Sequence, residues 1–224
     1  MSYKVIYHGS QVIVEKPKYH YEGSSKNNDY GLGFYCTTDV NMAKEWATKD
    51  SLNGFANKYE IDERGLNILD LTDKSKFTVL NWIAVLVHNR DFSDSEKRQY
   101  QRAFSYLEKF YIETENFDIV IGYRADDAYF RFPTMFIQNV LTLEKLEEIY
   151  LLGDFGRQYV LISEKAFTKI VFKDAIMAEP KYHELYLRRL DNAEKSYLEL
   201  EELDRYAEGT RISDLMRKEY DQDN

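Results

Sequence analysis

The chain has 224 residues, a formal net charge of −9, 15% aromatic residues and a single cysteine, Cys36. That length can bury a substantial core, as one domain with an accessory element, while the acidic balance leaves no overall basic footprint for a nucleic-acid backbone. One cysteine excludes an internal disulfide, and no charged segment leads into an apolar run at the start, so the composition suits a reducing cytoplasm.

In chain order, the β-rich run 3–8 predicts a strand closed by Gly9-Ser10, with His8 at its end. Residues 15–30 have the polar, Gly/Ser/Asn composition of an exposed loop, and 31–37 read as a second strand. Asp39 is placed to cap a helix over 40–48, where Met42, Ala43 and Trp46 fall at helical spacing. Alternation over 55–71 predicts one or two strands broken at Glu63-Arg64-Gly65. The most apolar run, 79–87, is interrupted by Asn81 and falls far short of the about 20 residues a bilayer-spanning helix needs, so 77–88 reads as a buried helix. A further helix is expected over 98–111, a strand over 117–123, a helix over 142–150 capped by Thr142, and a strand over 158–162. Residues 166–172 read as the hairpin partner or continuation of that last strand.

Beyond Pro180, apolar residues recur at three or four up to a stop at Gly209, predicting a helix of roughly 28 residues, about 42 Å long. A short helix with Ile212, Leu215, Met216 and Tyr220 on one face follows. This divides the chain into a domain over 1–180 and a helical extension over 181–224, with 181–208 open to a partner helix or a second copy. The irregular order of strands and helices favours an α+β fold over a doubly wound sheet.

Three separated stretches stand out: Tyr7-His8-Gly9-Ser10, then Gly31-Leu32-Gly33-Phe34-Tyr35, then Arg157-Gln158-Tyr159-Val160. Their order and context resemble the strand motifs of the ADP-ribosyltransferase superfamily, in its poly(ADP-ribose) polymerase-like and diphtheria-toxin-like branch. With Arg124-Ala125-Asp126-Asp127 they also resemble a bacterial family of unknown function assigned to that superfamily, over roughly residues 1–180. The resemblance implies split antiparallel sheets with flanking helices and a bacterial-type cytoplasmic mono-ADP-ribosyltransferase using NAD as substrate. His8, Tyr35 and Gln158 would be catalytic; His8, Gly9, Ser10, Gly33, Tyr35 and Arg124 would bind NAD. Asp126, Asp127 and Glu164 are further candidates. The acceptor is unidentified, and protein is favoured over nucleic acid.

Each assignment has a physical reason. Cleavage of the nicotinamide–ribose bond generates an oxocarbenium-like ribose, so orientation and electrostatic stabilisation matter most. By resemblance His8 meets the adenosine ribose and Gly9 the nicotinamide amide; a missing side chain at Gly9 lets the ligand approach the backbone. Ser10 adds a hydroxyl for a ribose or an amide. Tyr35 offers a flat electron-rich face to a flat cationic ring. Gln158 stands where the pattern commonly has Glu: it keeps hydrogen bonding but supplies no charge, which speaks against polymer formation. Restoring the charge, Gln158→Glu, is expected to leave binding near normal and to raise turnover. Taken alone, His8 and Tyr35 also read as ordinary strand residues, and Arg124 with its aspartates as a charged turn.

Two further readings stand beside the transferase: an NAD glycohydrolase with water as acceptor, and an inactive module that binds NAD, ADP-ribose or a protein. A Rossmann site is disfavoured because a strand follows the glycines where a helix should open. Cys36 should face away from Tyr35 across its strand, and the histidines at 8, 20, 88 and 183 lack metal-ligand spacing, so no metal is expected.

Overall fold

The computed structural model describes residues 3–20, 25–48, 52–125, 130–152, 156–204 and 208–222. Among these, two sheets with surrounding helices form a mixed α+β architecture. The first sheet is antiparallel, with β1 (Tyr3–Ser10) beside β3 (Gly54–Asp62) and β3 beside β7 (Ile170–Ala178). The second runs in the order β2 (Phe34–Cys36), β6 (Arg157–Leu161), β5 (Ile119–Tyr123), β4 (Ile68–Asp70). Its first two pairings are antiparallel, but β4 and β5 are parallel, which corrects the expectation of purely antiparallel sheets. The cause is the helical excursion between them: a long crossover returns the chain in its original direction.

Period-two alternation gives the second sheet two buried faces. Leu69, Val120 and Val160 face the helices, joining Trp82, Leu86, Phe132 and Phe136. Cys36, Ile119, Tyr159 and Leu161 face the first sheet, against Ile6, Tyr59 and Ile61. The second sheet is thus the middle layer.

Helix α1 (Val40–Ala47) begins at Asp39, whose carboxylate accepts from the Asn41 and Met42 amides at 2.8 and 3.4 Å. Helix α2 (Val79–Asn89) is largely buried, as its apolar run predicts. The helix expected over 98–111 is two, α3 (Asp94–Gln99) and α4 (Gln101–Glu108). Tyr100 leaves helical geometry between them, and a Ser93/Glu96 capping box starts α3 ahead of the apolar stripe. Helix α5 (Arg131–Ile137) escapes periodicity because it is one short, mostly buried segment. Helix α6 (Leu143–Leu152) follows Thr142, whose hydroxyl accepts from the Lys145 amide.

Residues 166–172 do not form a hairpin with β6. Ser163 caps a short helix, α7 (Glu164–Thr168), which redirects the chain, and β7 pairs with β3 in the other sheet. The tail contains α8 (Lys181–Asp204) and α9 (Ile212–Gln222), both seated on the body. Arg189 of α8 pairs with the buried Glu45 of α1, and Ile212 enters the main core. No helix among the described residues is long and apolar enough to cross a membrane.

Tyr30 ties this core to the loop ahead of β2. Its buried hydroxyl accepts from Trp82 Nε1 at 2.8 Å and donates to the Tyr123 carbonyl at 2.6 Å. Gly122 lies directly beneath the phenol, in space an added methyl would have to share. Gly122→Ala should therefore displace Tyr30 and lower stability by roughly 1–3 kcal/mol. Chemical denaturation checks this; an unchanged midpoint would show that the tyrosine is not held there.

Candidate functional site

The first two sequence motifs meet because β1 touches β2 across the sheet boundary. Tyr7 and Thr37 exchange backbone hydrogen bonds of 2.8 and 2.9 Å, an isolated antiparallel bridge between the sheets. That register sets His8 beside Tyr35, and His8 Nδ1 lies 2.8 Å from the Tyr35 carbonyl. A carbonyl only accepts, so Nδ1 carries the proton. Burial pushes the imidazole below the usual histidine range, against the opposing pull of that hydrogen bond. His8 is accordingly neutral near pH 7, with Nε2 left as an acceptor for an N–H or O–H group. Its ring packs on Phe34, centroids 4.4 Å apart.

Tyr35 is gripped from the other side. Its hydroxyl donates to the Gly31 carbonyl at 2.7 Å and accepts from the Tyr30 amide at 3.1 Å. Burial raises its pKa far above the tyrosine norm, so it stays protonated. Gly31, with φ of +70°, makes the turn that puts these backbone groups within reach of the phenol. Cys36 points away into the inter-sheet core.

His8, Ser10, Gly33 and Tyr35 line a single cleft of about 600 Å³, between the segment after β1 and the loop before β2. Its other walls include Val12, Ile13, Leu32, Phe34 and Phe167, a mainly apolar lining with a few polar groups, as small-molecule sites have. Four residues placed in a site by sequence do not line it. Gly9 packs on α1, where an added Cβ would strike the Ala43 carbonyl, so a helix rather than a ligand requires glycine there. Arg124 is buried with its guanidinium 5.4 Å over the Trp46 ring, near Glu45. Glu164 opens α7 on the surface. Asp126 and Asp127 lie outside the described residues.

Gln158, the fourth, is buried on the helix-facing side of β6, sharing that face with Val160 and, across the ladder, Tyr35. Its Nε2 donates to Asp29 Oδ2 at 3.0 Å. Asp29 is 2% exposed and also accepts from Arg90 Nε and Nη2, at 2.9 and 2.6 Å, and from the Ala125 amide at 2.9 Å. Arg90, at the C-terminal end of α2, directs its guanidinium to this carboxylate.

Sequence reasoning also missed the residue that shapes the cleft wall. Asn57, fully buried in β3, accepts from the Val14 amide at 2.9 Å. Its Nδ2 lies 3.0 to 3.4 Å from Ser10 Oγ and the carbonyls of His8, Val12 and Phe55. Tyr59 adds a hydrogen bond to the Val14 carbonyl. Ser10 donates to the Val12 carbonyl at 2.6 Å, so its proton belongs to this turn. The available signal was an asparagine inside a strand pattern, where that residue is disfavoured.

Asn57→Asp turns the donor edge into an acceptor facing carbonyl oxygens, so it should destabilise more than Asn57→Ala, by about 1–2 kcal/mol, in thermal unfolding at neutral pH. An aspartate variant as stable as the parent would refute the hub.

Gln158→Glu places a second carboxylate against Asp29, which adds a cost in stability to the change expected to raise turnover. The new group's folded pKa is raised by burial and like charge above an unfolded value of about 4.3. It binds a proton more tightly when folded, so the variant matches the parent best below pH 4.3 and loses ground as pH rises through the folded pKa. The loss near neutral pH should be about 3 kcal/mol, and a gap between variant and parent that does not change with pH would contradict this.

No curated protein and no solved structure matches the chain. A family model described as "Protein of unknown function (DUF3990)" matches residues 4–172, which contain the cleft, Asn57, Asp29 and Gln158. The chain belongs to the DUF3990 family.

Proposed function

We propose that this protein binds NAD in the cleft between His8 and Tyr35 and acts as a mono-ADP-ribosyltransferase. One observation carries the reading: two residues 27 positions apart, on strands of different sheets, are hydrogen-bonded together and line one concave site of about 600 Å³. The chemistry of each side chain suits the role. Neutral His8 offers Nε2 to a ribose hydroxyl, and Tyr35 presents a rigid ring whose hydroxyl is already held by the Gly31 turn. Apolar walls exclude water and strengthen the polar contacts within.

In the reaction, the bond between ribose C1 and the nicotinamide nitrogen breaks, and nicotinamide departs with the bonding electrons. An acceptor nucleophile then bonds to C1 and releases its proton. The protein's contribution is orientation and exclusion of water more than proton transfer, because the leaving group is already cationic.

A second reading is favoured by a specific observation: Gln158 is neutral, buried and bound to Asp29, and it does not line the cleft. Without a carboxylate there, the same cleft serves as a non-catalytic NAD or ADP-ribose receptor. Incubation with labelled NAD and a cell lysate separates the readings. Label on a macromolecule selects transfer, free nicotinamide alone selects hydrolysis, and stable binding without turnover selects the receptor. In all three, His8→Ala and Tyr35→Ala should each weaken NAD binding by about tenfold, roughly 1.4 kcal/mol, by calorimetric titration. Variants that titrate NAD like the parent would remove the cleft from consideration.

A further inference from the structure

We infer that Lys16 and Lys18 form the anion-binding end of the cleft, so that its ligand is a flat ring system carrying phosphate, seated with the phosphate toward the segment after β1. This rests on the reading of the cleft as a dinucleotide site and specifies which groups recognise the charge. Other cations near the cleft are already engaged. Arg90 is bound to Asp29, Arg124 is buried over Trp46, and neither lines the cleft. His8 does line it, but as a neutral imidazole whose protonated nitrogen faces the Tyr35 carbonyl.

Lys16 and Lys18 both line the cleft and are exposed, and they make no ion pair among the described residues. This contrasts with Lys76, Lys109, Lys145, Lys165, Lys173, Lys181 and Lys195, each of which is paired with a carboxylate. Two residues ahead of Lys16, the backbone of the same segment is held by Asn57 and Tyr59 through Val14. Phe34 and Phe167, ring centroids 6.0 Å apart, line the same cleft. The cleft therefore offers aromatic surface for a ring and two ammonium groups for a compact anion.

Two ammonium groups act as point charges, which fits phosphate without the bidentate geometry arginine would impose. A chain of net charge −9 repels polyanions at long range, so a local pair of unpaired lysines is the feature that would admit one. Glu15, which also lines the cleft and directly precedes Lys16 in sequence, opposes the same ligand.

Calorimetric titration of the full chain with ADP-ribose and with adenosine tests the assignment. The double variant K16Q/K18Q should bind ADP-ribose about tenfold more weakly, with a flatter salt dependence, while its affinity for adenosine stays that of the parent. Glu15→Gln should move ADP-ribose affinity the opposite way, tightening it about twofold to threefold. Circular dichroism and melting temperature should match the parent, since all three side chains are exposed. A double variant that binds ADP-ribose like the parent overturns the lysine assignment while leaving the cleft intact. Loss of adenosine and ADP-ribose affinity in equal proportion overturns it too. If the parent binds neither NAD nor ADP-ribose, the reading of the cleft itself fails, and the lysine assignment with it.

Discussion

A two-hydrogen-bond bridge between Tyr7 and Thr37 is the contact on which the site depends. Tyr7 lies in β1 and Thr37 directly follows β2, and among the described residues no named strands pair across the boundary between the two sheets. Once the bridge forms, the register leaves His8 facing the Tyr35 carbonyl and aligns the chain so that Asp39 starts α1 against β1. Gly9 then has to be glycine to let α1 approach, and α8 seats on the outer side of α1 through Arg189 and Glu45. A local backbone contact therefore propagates into the placement of a helix, a tail and a cleft.

A second constraint is electrostatic. Asp29 is a buried carboxylate, and burial of a charge is tolerated only when hydrogen-bond donors surround it. Arg90, the Ala125 amide and Gln158 supply them, from the end of α2, the end of β5 and the middle of the second sheet. The residue at 158 has to donate to Asp29, which a carboxamide does and an ionised carboxylate cannot. The glutamine is thus explained by its neighbour. The loop before β2 that holds Tyr35 is anchored in the same way, through Asp29, Tyr30 and Gly31 in succession.

Much of this was legible in the sequence where local rules decide. The Asp39 cap, the buried helix after Thr78, the break at Glu63-Arg64-Gly65 and the opposite facing of Tyr35 and Cys36 all follow from composition and period. The closeness of His8 and Tyr35 was expected only from the resemblance of the motifs that carry them. What sequence did not give is non-local. That β7 abandons its neighbour β6 for β3 depends on the turn Ser163 makes, and that β4 runs parallel to β5 depends on the intervening helices. Gly9 looked like room for a ligand and instead makes room for α1, whereas Gly33 lines the cleft as expected while packing on Val160. Asn57 and Asp29 act through partners dozens of residues away, and no spacing rule announces such hubs.

The central claim is that the His8 imidazole is a neutral acceptor in a cleft that receives NAD. The nitrogen-15 shifts of the four imidazole rings, followed as NAD is added, address it directly. The account predicts an Nδ1-protonated, neutral His8 near pH 7, with its Nε2 resonance moving on saturation with NAD. A His8 ring that is charged at that pH, or that ignores the dinucleotide, would contradict it.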